Sequence, residues 1–441
     1  MYATLHAFTR GLHEEHLQEI SLLFEQRQAL RLKPDFNWLE VADIEERIEA
    51  HLDALLIGGE LALEVSRRAA SEGDFGEIFG AIVLFCRQQQ APLLAEALRM
   101  MDFKDPKKQF ALAMALRKAL PTPWASFVEQ ALTQGDARLI PVLAAVSGHL
   151  RLPHGAALLA ALRRSPEHAL PVIEALGRLR EASAEPVLRA ALQGPDAEVS
   201  DAADLALWRM GRGQPDMPAT PLTLAVAGGP ATATALRQRV EAGHASPEEI
   251  LALGILGHPP AWRALYDCLG QPELAEVAAI ALQWSTGADL QADVFVPEEV
   301  DEQALFKDEL QAWQQYKQAP VRLDGQPFGE VVNKPVTDPV AWQQWFEANA
   351  ARFDRRLRYH KGRPCAPATW VASLQSPRGD ARVRRYAALE MEIRYGCPVR
   401  FEVDMDVIQQ RHALRAMEDW SRKEGARFQP GHWYLHGAAS E

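Results

Sequence analysis

A chain of 441 residues, 48% apolar and 24% charged, can bury a large core, which excludes an intrinsically disordered protein. Its 47 basic and 59 acidic residues leave a net charge of −12, which opposes bulk attraction to nucleic acid or to an anionic membrane. Cys86, Cys268, Cys365 and Cys397 are scattered without a C-x-x-C pair, so neither a disulfide framework nor a zinc site is indicated and a reducing compartment fits.

Residues 1 to about 90 read as helical. His13 to Arg27 is an amphipathic run with Leu17, Ile20, Leu22, Leu23 and Phe24 clustered. Lys33-Pro34-Asp35 breaks it, Leu39 to Leu56 resumes with apolar residues three and four apart, and Gly58-Gly59 ends the helix. The N-terminus has no basic stretch followed by an unbroken apolar core, and nothing approaches the roughly 18 apolar residues of a membrane span, so the expected location is the cytoplasm.

From Ala91 to Gly287 the chain repeats itself. Pairs of Ala with Leu or Val recur at Ala115, Ala145, Ala175, Ala206, Ala252 and Ala281, spaced by 30, 30, 31, 46 and 29 residues. A second set recurs in step at Ala97, Ala131, Ala161 and Ala191. Two phased registers with a period of about 30 predict an all-α solenoid of HEAT-like repeats, two short helices per repeat. No repeat can bury its own apolar stripe, so stacking must do it, and residues 1–90 are expected to cap the open end of the stack. Ser165-Pro166-Glu167, Gly194-Pro195-Asp196 and Gly270-Gln271-Pro272-Glu273 carry the proline and acids that a helix start favours. The interval of 46 contains Gly211 to Pro221 and Gly228-Gly229-Pro230, which predict a surface loop between repeats.

Beyond Gly287 the pattern lapses. Residues 291–337 are expected to hold an acidic helix, Glu298 to Ala319, and a Pro- and Gly-rich linker. Residues 338–441 are expected to form a C-terminal helical domain opening with Asp338 to Phe353, in which a repeat returns: Ala372-Ser373-Leu374-Gln375 matches Ala190-Ala191-Leu192-Gln193, and Asp380 to Val383 matches Asp196 to Val199. The polar tail His432 to Glu441 is expected to fray.

Three segments together carry a family resemblance: HEEHLQEISLLFEQR with LEVADIEERIEAHLDALLIGGELALE, the central repeats, and WQQWFEANAARF with RRYAALEMEIRYGCPVRFEVDMDVIQQRHAL. The chain resembles an uncharacterised bacterial family of HEAT-like proteins whose genes often lie in type VI secretion clusters. The resemblance implies a setting near effector and spike components and supplies no catalytic residues.

Few residues suggest chemistry. His13 and His16 stand at i, i+3 without the H-E-x-x-H order of a zinc helix, which favours a surface or capping role, and His432 and His436 are no stronger as a metal pair. His51 is expected to be a hydrogen-bonded core histidine shaping the cap. No nucleophile elbow, phosphate loop or dinucleotide fingerprint is present, so no cofactor is implied and a non-enzymatic protein-binding scaffold or adaptor is expected. Trp208, Trp262, Trp284, Trp313, Trp342, Trp345 and Trp370 either fill gaps in the solenoid or line a partner groove. Residues 351–385 hold ten Lys or Arg against two Asp, nine of the ten being Arg. Arg352, Arg355 and Arg356 are expected on one helical face, and with Arg358, Arg382, Arg384, Arg385, Trp342 and Trp345 they form the candidate partner-binding set unless the acidic helix pairs with them internally. The partner expected is a protein, an effector or spike component, with no membrane and with nucleic acid disfavoured. An immunity-type inhibitor of a toxin and a HEAT-fold nucleic-acid enzyme are the alternatives, the second needing a basic groove.

Overall fold

A computed structural model describes residues 2–33, 37–214, 220–377 and 381–440. Pro34-Asp35, the Pro215 to Ala219 part of the expected loop, and Asp380 of the returning repeat lie outside the described residues. Helix makes up 68% of the structure, and among the described residues the strands form only two-stranded ribbons, so the core belongs to packed helices. The solenoid-like, all-α repeat fold is therefore as expected. Among the described residues no helix is long and apolar enough to cross a membrane.

The chain forms two compact units, Met1–Gly229 with Ala366–Gln429 and Trp433–Glu441, and Pro230–Cys365 with Pro430–His432. These boundaries cut across the sequence segments drawn at residues 90, 290 and 337.

In the first unit the helices Phe75–Arg87, Pro106–Ala119, Ile140–Leu150, Ala169–Leu179 and Ala197–Arg209 pack one on the next as an inner row. Shorter partners, Ala91–Met100, Ala125–Gln134, Gly155–Arg164 and Glu185–Ala191, form the other row. Local sequence sets the starts. Asp74 accepts from Gly76 and Glu77 in a capping box, and Asp105 and Asp196 cap their helices through side-chain bonds to backbone N–H groups.

Small residues set the spacing between inner helices. A Cβ on Gly148 would lie 2.9 Å from the Ala175 Cα, and one on Gly177 would lie 2.6 Å from the Ala206 Cβ. The same contact recurs in the second unit, where Gly254 faces Ala281 at 2.6 Å. Gly148, Gly177 and Gly254 each stand two residues beyond the true marker, so the register in the Ile140–Leu150 helix is Val146-Ser147. Ala145 is only half-buried, whereas Val146 and Ser147 are fully enclosed. Two adjacent small residues, Ala144 and Ala145, shifted the apparent marker by one.

The long Tyr2–Arg31 helix packs with Val41–Ile57 against Phe75–Arg87 at the start of the stack. The insertion after Gly211 is not all surface loop. Thr220 caps a short helix, Pro221–Ala227, in which Thr223, Ala225, Val226 and Ala227 are buried, and the buried Asp204 carboxylate accepts from the Thr220 N–H and the Thr223 hydroxyl. The tail is ordered as well: Tyr434–Leu435 pairs with Ala438–Ala439, and Trp433 and Tyr434 are buried. Aromatic burial outweighs the polar composition there.

In the second unit Pro247–Leu256 packs on Ala275–Thr286, and each closes on a left-handed glycine, Gly257 and Gly287. The chain then forms a strand, Gln291–Pro297, paired antiparallel with Gly329–Pro335. Val294, Phe295 and Val296 face Val332, Val331 and Glu330, so the β-branched and aromatic content outweighs the breakers that suggested a linker. The acidic helix is shorter than expected, Lys307–Tyr316, because residues 298–306 are irregular, with a turn at 302–304.

Candidate interaction surfaces

The structure divides the candidate arginines between structural and exposed roles. Arg358 is fully buried, donating from Nε to the Leu256 carbonyl at 3.0 Å and from Nη2 to the Ile255 carbonyl at 3.3 Å. It closes the end of the Pro247–Leu256 helix and cannot meet a partner. Arg384 is also buried. Its guanidinium lies 4.4 Å from the Trp38 ring centroid and bonds Gln410 at 2.8 Å, and burial pushes its pKa down to about 9.

Arg352, Arg355, Arg356, Arg382 and Arg385 are exposed. Arg352, Arg355 and Arg356 do not share a helical face: the helix Pro339–Asn349 ends before them, Arg352 closes a 3₁₀ turn, and Arg355 and Arg356 sit in a separate turn. The spacing suited a continuous helix, but the chain turns extended at Phe353, whose ring is buried. Arg356 pairs with Asp354 and Arg352 bonds Asn349, both locally. These three belong to the second unit, whereas Arg382, Arg384 and Arg385 belong to the first.

The tryptophans are mostly core. Trp208, Trp262, Trp284, Trp342 and Trp370 are buried, and the Trp342 indole N–H donates to the Val336 carbonyl at 2.7 Å. Trp342 is therefore not a partner anchor. Trp345 is half-buried against Trp342, Phe346 and Phe353, and Trp313 is half-buried elsewhere in the same unit.

His13 is buried rather than on a helix surface. Its ring occupies the space above Gly58, where a Cβ would come within 2.4 Å, and burial, with His16 second, pushes its pKa down. His16 and His51 share a hydrogen bond, Nδ1 to Nδ1, at 2.9 Å. This joins the first two helices, and one imidazole must donate while the other accepts.

The feature that sequence reasoning missed is a charged seam along the inner helices of the first unit. The inner helices from Pro106–Ala119 onward end in basic residues: Arg117 and Lys118, Arg151 beside His149, Arg178 and Arg180, and Arg209. Against them lies an irregular stretch, residues 398–406, whose acids alternate with apolar side chains. Glu402 receives Arg151 at 3.0 Å and Arg178 at 3.4 Å. Asp404 receives Arg117 at 3.0 Å, with His149 at 3.8 Å, and Asp406 receives Lys118 at 2.6 Å and Arg27 at 3.3 Å. Glu392 takes Arg209 and Arg180 at 3.2 and 3.4 Å. Met405, between two of the acids, and Phe401 and Val407, on either side of the three, are buried. Each acid thus spans the ends of one or two neighbouring repeats.

The seam continues into the cap. Lys118 also reaches Glu49 at 2.5 Å, and Arg27 reaches Glu45 at 2.7 Å, whose other oxygen accepts from the Val407 N–H at 2.7 Å. Burial alone would raise the carboxyls of Glu402, Asp404 and Asp406, but the surrounding cations outweigh it and hold all three below the usual range. His149 goes the other way: burial outweighs the pull of Asp404 and pushes it down to about 4, so it is neutral at pH 7.

One sequence signal pointed here. Arg151 and Arg180 cap their helices in the left-handed region, at φ 56° and 53°, where the sister positions hold Gly211, Gly257 and Gly287. A left-handed residue other than Gly costs about 1–2 kcal/mol, and here the side chain it carries pairs with Glu402 or Glu392.

Comparison of the chain with protein families, with curated proteins and with solved structures returns no match.

Proposed function

We propose that the protein is a non-enzymatic scaffold or adaptor that binds another protein, acting in the cytoplasm as an accessory of type VI secretion that handles an effector or spike component. The observation that carries the binding reading is the charged seam. Its helix-end cations are engaged by carboxylates of the same chain, so the inner helix ends offer little free positive charge to a phosphate backbone, which nucleic-acid binding requires. The large apolar side chains that stay exposed, among them Phe306, Tyr316 and Val331, suit a protein partner. The secretion setting rests on the family resemblance.

Isolation of the tagged full chain under native conditions, with mass spectrometry of what accompanies it, tests the reading together with a nucleic-acid titration at about 0.1 M salt. One stoichiometric companion and no nucleic-acid affinity are expected. Tight, steeply salt-dependent binding of DNA or RNA, or no companion at all, would overturn it. A companion unrelated to secretion would remove the setting alone.

A further inference from the structure

The insertion carried on the ribbon Gln291–Pro297 with Gly329–Pro335 makes little core of its own. None of the residues of its helix, Lys307–Tyr316, is buried. Phe306 is 80% exposed and Tyr316 69% exposed, while Leu310 and Trp313 are half-buried. A two-stranded ribbon is only marginally stable alone in water, and this one leaves Val294, Phe295 and Val331 exposed.

The spacing of these side chains is ordered. Phe306, Leu310 and Trp313 stand at i, i+4 and i+7, with Tyr316 one turn further, so they line one side of the helix. Asp308, Gln311 and Gln315 occupy the opposite side, and all three are exposed. The helix is held ready by its own loop: Glu309 accepts from the Phe306 N–H at 2.9 Å, and the Trp313 indole N–H donates to Glu302 at 3.1 Å. Anchors at this spacing are what a groove-binding helix presents.

Charge selects the occupant. Residues 291–335 hold nine acids against four bases, with Glu298, Glu299, Asp301 and Glu302 just ahead of the helix. The same arm on a second copy would repel it, and Arg356 of the same unit is paired with Asp354. Accordingly, we propose that the Lys307–Tyr316 helix is the docking element of the scaffold, inserting Phe306, Leu310 and Trp313 into an apolar groove rimmed by Lys and Arg on a partner protein. This rests on the scaffold reading above and names its surface.

The test uses the full chain in the cells that encode it, with the photo-crosslinking residue p-benzoylphenylalanine placed singly at Phe306, Tyr316, Gln311 or Gln315. Positions 306 and 316 are expected to give one and the same adduct, positions 311 and 315 none, and the crosslinked peptide is expected to lie in an apolar groove with basic residues at its rim. Phe306→Ala with Trp313→Ala should cut recovery of that partner more than tenfold, and Glu298→Lys with Glu299→Lys should weaken it, both with an unchanged melting temperature. Phe306→Ala alone serves if the pair lowers stability. Adducts to this chain, adducts from all four positions, or no adduct overturn the proposal. A companion that co-purifies undiminished with the alanine variants overturns the docking helix and leaves the scaffold reading standing.

Discussion

Arg117 donates a hydrogen bond to Asp404 at 3.0 Å across 287 residues of sequence, tying the end of an inner helix to a stretch near the C-terminus. Asp404 also lies against His149 of the next inner helix, and Arg27 of the cap donates to the Asp404 carbonyl at 3.4 Å. One residue therefore joins cap, stack and C-terminal region of the first unit, and disturbing it should be felt in all three.

Stability should fall as the pH is lowered, in two stages. Unfolded His149 takes up a proton below its ordinary 6.5, while the folded residue resists protonation until about 4. Between those values the unfolded state holds more protons, so stability is full above 6.5 and declines toward 4, by up to about 3 kcal/mol from this group. Glu402, Asp404 and Asp406 have lowered values, so their contribution is present above the usual carboxylate range and is lost as pH falls through their folded values. Urea denaturation from pH 7.5 down to about 2.5 should show both stages, and His149→Asn should make the first shallower. An unchanged slope in that variant would mean His149 titrates normally.

Packing between inner helices should tolerate neither charge nor bulk. Leu176 is fully buried, and Leu176→Asp should cost several kcal/mol by placing an unpaired carboxylate in the stack. Gly177→Ala should cost about 1–3 kcal/mol, because the added methyl would meet Ala206 at 2.6 Å and the helices would have to part. Differential scanning calorimetry checks both, and wild-type melting in either variant would contradict the close approach.

The arginines should separate by burial rather than by sequence position. Arg355→Glu with Arg356→Glu should change stability by no more than about 0.5 kcal/mol, since both are exposed. Arg384→Glu should cost several kcal/mol, because it would place a carboxylate where the guanidinium now stacks on Trp38 and bonds Gln410. Equal effects from the two variants in chemical denaturation would contradict the assignment.

The repeat was legible because stacking imposes a period. Burial of Leu176, Ala206 and Leu207 and the close approach at Ala175 and Ala206 leave the same small and apolar residues every 30 positions. The ribbon was not legible, because its partner strands lie far apart in sequence, Val294 facing Val332 across a turn-rich insertion. The arginine cluster misled because composition does not report burial: Arg358 and Arg384 look like Arg355 and Arg385 in sequence, and only the helix ends and rings that surround them set them apart. The seam was hidden for a related reason. Glu402, Asp404 and Asp406 read as a short acidic run, and their partners are scattered from Arg27 to Arg178. Only the left-handed arginines at glycine positions hinted at a charge needed there.

Internal neutralisation of the helix-end cations defines the seam, and a charge swap between Arg117 and Asp404 tests it most directly. Arg117→Asp and Asp404→Arg should each cost about 3 kcal/mol or more in urea denaturation at pH 7.5, because each sets like charges together in a poorly hydrated seam. The double variant should recover at least about 1 kcal/mol relative to the sum of the two losses, the coupling expected of neighbours that interact. Losses that simply add, within about 0.5 kcal/mol, would show that the two residues do not engage each other and would contradict the seam.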